Sequence, residues 1–146
     1  MLAIGLGHPR FLHTDLNLII QIVTLAIIFV SLYYKKNGNF KRHGMTMGFA
    51  VVLHVLSFIV VMGPNFFNYF EFYSGSTSVG AVQAAWLHAV PGAVALILAI
   101  FLVSRWAVNA SNVNGCYKWK RVMDATFLLW VFSLIFGIAT YVLFYV

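Results

Sequence analysis

Four side chains in this 146-residue chain carry chemistry that an apolar sequence does not need for packing: His43, Met47, His54 and His88. His43, Met47 and His54 belong to the segment KRHGMTMGFAVVLHVLSF (41–58). On an α-helix, offsets of four, seven and eleven return to nearly one stripe, so Met47, Ala50 and His54 align above His43. The two imidazoles then sit about 16 Å apart along the axis. Imidazole ligates haem iron and transition metals, and a thioether favours soft ions such as copper(I). Three readings follow from these residue types. The histidines are neutral and bonded to neighbours such as Gln21 or Ser133; or His54 and His88 clamp a b-type haem; or copper or another metal takes His43 and Met47. Pro91 frees the carbonyl of Leu87, which is then placed to orient the His88 ring.

The elements that must position these residues follow from composition. The chain is 62% hydrophobic, 17% aromatic and only 8% charged, where a soluble domain keeps roughly a quarter of its residues charged. Four apolar runs, approximately 16–34, 46–63, 79–106 and 123–146, are each close to or above the roughly 18–20 residues that cross a bilayer as a helix. The expected fold is therefore all-α: a four-span transmembrane domain, 16–146, arranged up-down-up-down as a bundle. Residues 1–15 form an N-terminal arm on the outer side. That leader lacks a basic n-region and a small-residue cleavage site, so it does not read as a removable signal peptide. Asp15 is placed to cap the first span. The single cysteine, Cys116, excludes an internal disulfide.

Net charge of +6 would suggest nucleic acid in a soluble chain. Its distribution argues for a membrane topology instead. Lys35, Lys36, Lys41 and Arg42 follow span one; Arg105, Lys118, Lys120 and Arg121 follow span three. These are eight of the nine cations, and the positive-inside rule puts both loops in the cytoplasm of a multi-pass cell-membrane protein. Both termini and the loop 64–78 then face outward. No aromatic–basic interleaving supports nucleic-acid binding. The outer loop has six aromatics between Phe66 and Tyr73, read as an interfacial belt or as a short helix docked on a neighbouring subunit.

Each span also carries a polar or small stripe at helical spacing. Span one has Asn17, Gln21, Thr24 and Ser31; span four has Thr126, Trp130, Ser133, Gly137 and Tyr141. In span three Ala81, Ala85, His88 and Gly92 share a face. Such stripes usually serve helix packing, because small residues permit close approach and hydroxyls or amides bond across the interface. His54 and His88 approach the bilayer midplane from opposite sides. A buried ionisable group there costs several kcal/mol without a partner, which makes each a functional candidate.

Together these stripes resemble the four-helix membrane family of uncharacterised function that includes the haem–copper oxidase maturation factor CtaM. The likeness runs from Asn17 to the end of the chain. It rests on the Asn17, Gln21, Thr24 spacing, the basic turn ending in His43 with Met47 four residues on, and His88 in LHAV. Trp130, Gly137 and Tyr141 complete it. Two positions depart: Trp119 stands where the family has a further histidine, and His54 where it has a small residue. The resemblance implies an accessory role beside a respiratory or copper-dependent membrane oxidase, with other integral membrane subunits as partners.

No catalytic constellation is present. The three acidic residues, Asp15, Glu71 and Asp124, lie near span ends or in the outer loop. No nucleophile–base order, phosphate-cradling loop or zinc spacing occurs. The expected function is that of a small accessory subunit or maturation factor of a membrane oxidase or monooxygenase complex. The alternatives are a b-type haem electron-transfer subunit using His54 and His88 and, more weakly, a transporter. A transporter would be expected to show inverted repeats and paired broken helices, which are not evident.

Overall fold

The computed structural model describes residues 12–109 and 117–145. Among these there is no strand, and four helical stretches are long and apolar enough to cross a membrane. Helix α1 spans Leu12–Lys36 and α2 spans Phe40–Ser57, continuing through a π-helical turn, Phe58–Met62, into the short α3, Gly63–Asn68. A second short helix, α4 (Phe70–Gly75), precedes α5 (Gly80–Val108) and α6 (Lys120–Tyr145). Each long helix outruns its apolar run by a few residues. Polar residues such as Lys36 and Lys120 continue the helix into the headgroup zone, where hydropathy no longer marks it. Of the expected arm 1–15, residues 12–15 belong to α1, while residues 1–11, like Cys116, lie outside the described residues.

Local chemistry explains the joints. Gly38 adopts φ of 73°, a left-handed value, and the Asn39 side chain accepts from the Arg42 amide at 3.2 Å, capping α2. The π turn immediately precedes Pro64, which cannot donate to the carbonyl of Val60 and whose ring would crowd it. Widening the preceding turn accommodates that defect, with the Gly63 amide bonding to the Phe58 carbonyl instead.

The long helices alternate in direction. At one end Lys35 meets Asp124 at 3.4 Å, Phe40 packs edge-on to Tyr117, and Gly44 lies under the Trp106 ring. At the other, Tyr141 donates to Asp15 at 2.5 Å and the short helices fold back onto the bundle. The up-down-up-down expectation is met. Helices α1 and α2 form one close hairpin and α5 and α6 another, packed together around Ile28, Ala50, Val51, Ala95, Ala99, Trp130 and Leu134. Exposed Ile22, Phe29, Val52, Ile97, Leu128 and Leu143 give the outer surface the apolar character that lipid requires.

One expectation changes. Asp15 does not cap α1, which is already helical at Leu12; it sits buried inside the first turn, and Tyr141 is one of its partners. Burial of the carboxyl among apolar side chains is offset in part by the phenol that reaches it across the interface. The aromatic segment 66–73 also packs against its own bundle. Phe66 stacks on Tyr73 and meets Trp86 edge-on, and Phe72 and Tyr73 reach Phe144. Trp86 donates to the Tyr73 carbonyl at 3.0 Å, which ties this loop to α5. Burial raises the Tyr73 phenol above its ordinary pKa, and Tyr69 adds in the same direction. Phe67, Tyr69, Phe70 and Phe72 remain exposed.

Candidate functional site

The polar stripes of the sequence all turn inward. Gln21, Thr24, Ser31, His54, Ser57, Thr126 and Ser133 are buried, and Asn17 bonds to Ser57 between α1 and α2. In hydrocarbon such bonds are worth roughly 0.6–2 kcal/mol each, enough to fix which helix faces meet.

Two of these pairings have the same construction. In the first hairpin the Ser31 hydroxyl donates to the His43 carbonyl at 3.0 Å, and His43 Nδ1 lies 3.0 Å from the Ser31 carbonyl and 2.7 Å from its hydroxyl. In the second, the Ser133 hydroxyl donates to the His88 carbonyl at 2.7 Å, and His88 Nδ1 meets the Ser133 carbonyl at 2.8 Å. A carbonyl only accepts, so both Nδ1 atoms carry the proton and both Nε2 atoms keep a bare lone pair. Each hairpin is thus clasped by a reciprocal serine–histidine pair. The ring of His88 is oriented by Ser133 across the helix interface rather than by the Leu87 carbonyl, which corrects the expectation drawn from Pro91. Gly92 makes the approach possible, because a Cβ there would stand 2.6 Å from the Ser133 hydroxyl.

His54 is different. Its Nδ1 accepts from the Trp130 indole at 3.2 Å, and the two rings meet edge-on with centroids 5.2 Å apart. An indole N–H can only donate, so Nδ1 is the bare atom and the neutral ring carries its proton on Nε2. This bond joins the two hairpins, α2 to α6, at the centre of the bundle. Trp130 is 1% exposed and His54 4%, so the indole N–H and His54 Nδ1 satisfy each other in the core.

These tautomers decide the fit of a haem between His54 and His88. Axial ligation needs a bare nitrogen facing the iron. His88 offers one at Nε2, but His54 has its bare nitrogen committed to Trp130 and a proton at the other. The residues do not fit a bis-histidine haem, and His54 reads as the pin between hairpins. Nearby, Gln21 Oε1 and Thr24 Oγ1 are buried without a hydrogen-bond partner in the described structure. Gln21 Oε1 and His88 Nδ1 each lie 2.8 Å from where a Cβ on Gly137 would stand, so α1, α5 and α6 converge closely there.

His43 and Met47 open onto free space. Both line a cavity of about 430 Å³ at the basic end. Its floor is apolar, formed by Ile28, Ala99, Val103 and Phe127. Its rim carries Lys35, Arg105, Lys118 and Asp124, and its walls include Trp106 and Trp119. A smaller cavity of about 360 Å³, edged by Phe40, Tyr117 and Lys120, shares His43, Leu32, Lys35 and Met123 with the first. Trp106 is seated by Gly44, where a Cβ would stand 2.0 Å from the indole. The Arg105 guanidinium lies over the rings of Trp119 and Phe101 at 5.3 and 5.8 Å. Trp119, which marked a departure from the family pattern, is therefore part of this wall.

His43 Nε2 with its oriented ring and Met47 one turn on are chemically suited to a soft ion such as copper(I). Among the described residues no group of three or more His, Cys, Asp or Glu accompanies them. Sequence reasoning placed His43 and Met47 together correctly but missed the cavity, whose far walls come from residues some 60–80 positions away. No family model, curated protein or solved structure matches the chain.

Proposed function

We propose that this protein is a small multi-pass membrane accessory subunit or maturation factor of a respiratory or copper-dependent oxidase or monooxygenase complex, working through the cavity at its basic end. The observation that carries this reading is the His43–Met47 motif. It is the part of the resemblance that opens onto space, with His43 held by Ser31 so that Nε2 is bare. The remaining shared residues, Asn17, Gln21, Thr24, His88, Trp130 and Tyr141, serve the bundle interior. The positive-inside rule puts this cavity at the cytoplasmic face, with both termini outside. The exposed aromatics Phe67, Tyr69, Phe70 and Phe72 then supply a surface at the outer face for neighbouring integral membrane subunits.

The test is purification of the tagged protein from native membranes in a mild detergent, with mass spectrometry of its companions. Oxidase or monooxygenase subunits should be enriched over a tagged unrelated four-span protein. Recovery of the protein alone, across gentle detergents, would overturn the reading.

A further inference from the structure

We infer that the basic-end cavity binds an anionic amphiphile: a molecule with a carboxylate or phosphate head and one apolar chain or ring system. The inference rests on the functional reading above only in taking this cavity as the working site. Three observations combine. The cavity, at about 430 Å³, falls in the range of small-molecule pockets. Much of its lining is apolar, with Leu32, Leu102, Val103, Met123 and Phe127 offering side chains to an apolar body.

Its rim is cationic in a particular way. Lys35 is paired with Asp124 at 3.4 Å, which leaves Arg105 and Lys118 as lining charges without an acid beside them on the cavity wall. Arg105 extends from the end of α5 and lies over Trp119, so its guanidinium is held at the rim and not left to sweep through water. An anion entering this mouth gains charge-assisted hydrogen bonds from two donors, Arg105 and Lys118. Scattered interfacial lysines would attract any anionic lipid to the surface. Here the charges stand over an apolar recess, so head and body are recognised together.

Trp106 and Trp119 make the binding observable. The intact protein, in a neutral detergent, is titrated with dibromostearate, with the matching dibromostearyl alcohol, and with a brominated lysophosphatidate. Bromine quenches indole on contact. Trp130, buried in the core, supplies the unquenched background, and Trp86→Phe removes the indole at the opposite end. Saturable quenching should need about tenfold less carboxylate or phosphate amphiphile than alcohol. The relative strength of the two anionic arms identifies the head. Arg105→Gln with Lys118→Gln, both exposed positions, should erase the preference of anion over alcohol.

Val103→Phe, which fills the floor and leaves the charges, should weaken all three ligands. Equal half-quenching concentrations for anion and alcohol in the unmodified protein would overturn the proposal, as would an unchanged preference in the double variant. Failure here with oxidase companions still recovered removes the ligand and leaves the accessory role. Selective binding without companions does the reverse.

Discussion

A methyl group added at Gly137 tests the three-helix junction most sharply. A Cβ there would stand 2.8 Å from Gln21 Oε1, 2.8 Å from His88 Nδ1 and 2.9 Å from His88 Cε1, where ordinary contact begins at 3.4 Å. Neither neighbour yields easily. Gln21 is 5% exposed, and the His88 ring is held at 2.8 Å by the Ser133 carbonyl. Moving the ring by the required half-ångström or so stretches that bond and forfeits about 0.5–1.5 kcal/mol. Overpacking a tight interior adds roughly 1–3 kcal/mol, so Gly137→Ala should destabilise by about 2–4 kcal/mol. The assay is unfolding by sodium dodecyl sulfate in mixed micelles, followed by circular dichroism. His88→Ala removes one of the two obstacles, so Gly137→Ala should cost at least about 1 kcal/mol less in that background. A neutral Gly137→Ala, or strict additivity with His88→Ala, would refute the packing described.

Three further outcomes follow. Trp130→Phe keeps an edge-on ring against His54 but deletes the donor to Nδ1, leaving a buried acceptor unpaired. A loss of roughly 2–4 kcal/mol, including the space vacated, is expected in the same micelle unfolding assay. Gly44→Ala drives a Cβ into the Trp106 indole and should displace it from the cavity wall, read as a shift in indole emission with helicity retained. For topology, Cys116 follows α5 and belongs to the basic connection. It should react with an impermeant maleimide only after cells are permeabilised, and labelling of intact cells would reverse the orientation.

Much of the fold was legible because its causes are local. Hydropathy over twenty residues marks a span, and a stripe at offsets of three and four, such as Asn17, Gln21 and Thr24, marks the face that turns inward. What was not legible depends on partners distant in sequence. Nothing near His54 announces Trp130, 76 positions away, yet that one bond sets the tautomer of the ring. Asp15 carried the composition of a cap, and only the arrival of Tyr141 across the bundle shows its buried role. The cavity was hidden for a related reason. It is made by what α2, α5 and α6 fail to fill beside His43, and by Trp106 lying flat over a glycine, neither of which has a periodicity to read.

The most direct measurement of the central claim, that His43 faces a working cavity while His54 pins the bundle, is the tautomeric state of each ring. Nitrogen-15 NMR of histidine-labelled protein in lipid bilayers, assigned with single His→Gln variants, reports which nitrogen bears the proton. The structure requires Nδ1–H at His43 and His88 and Nε2–H at His54. Addition of the preferred anionic amphiphile should then shift the His43 resonances and leave those of His54 in place. Nδ1–H at His54, or ligand-induced shifts at His54 with His43 unmoved, would contradict the account.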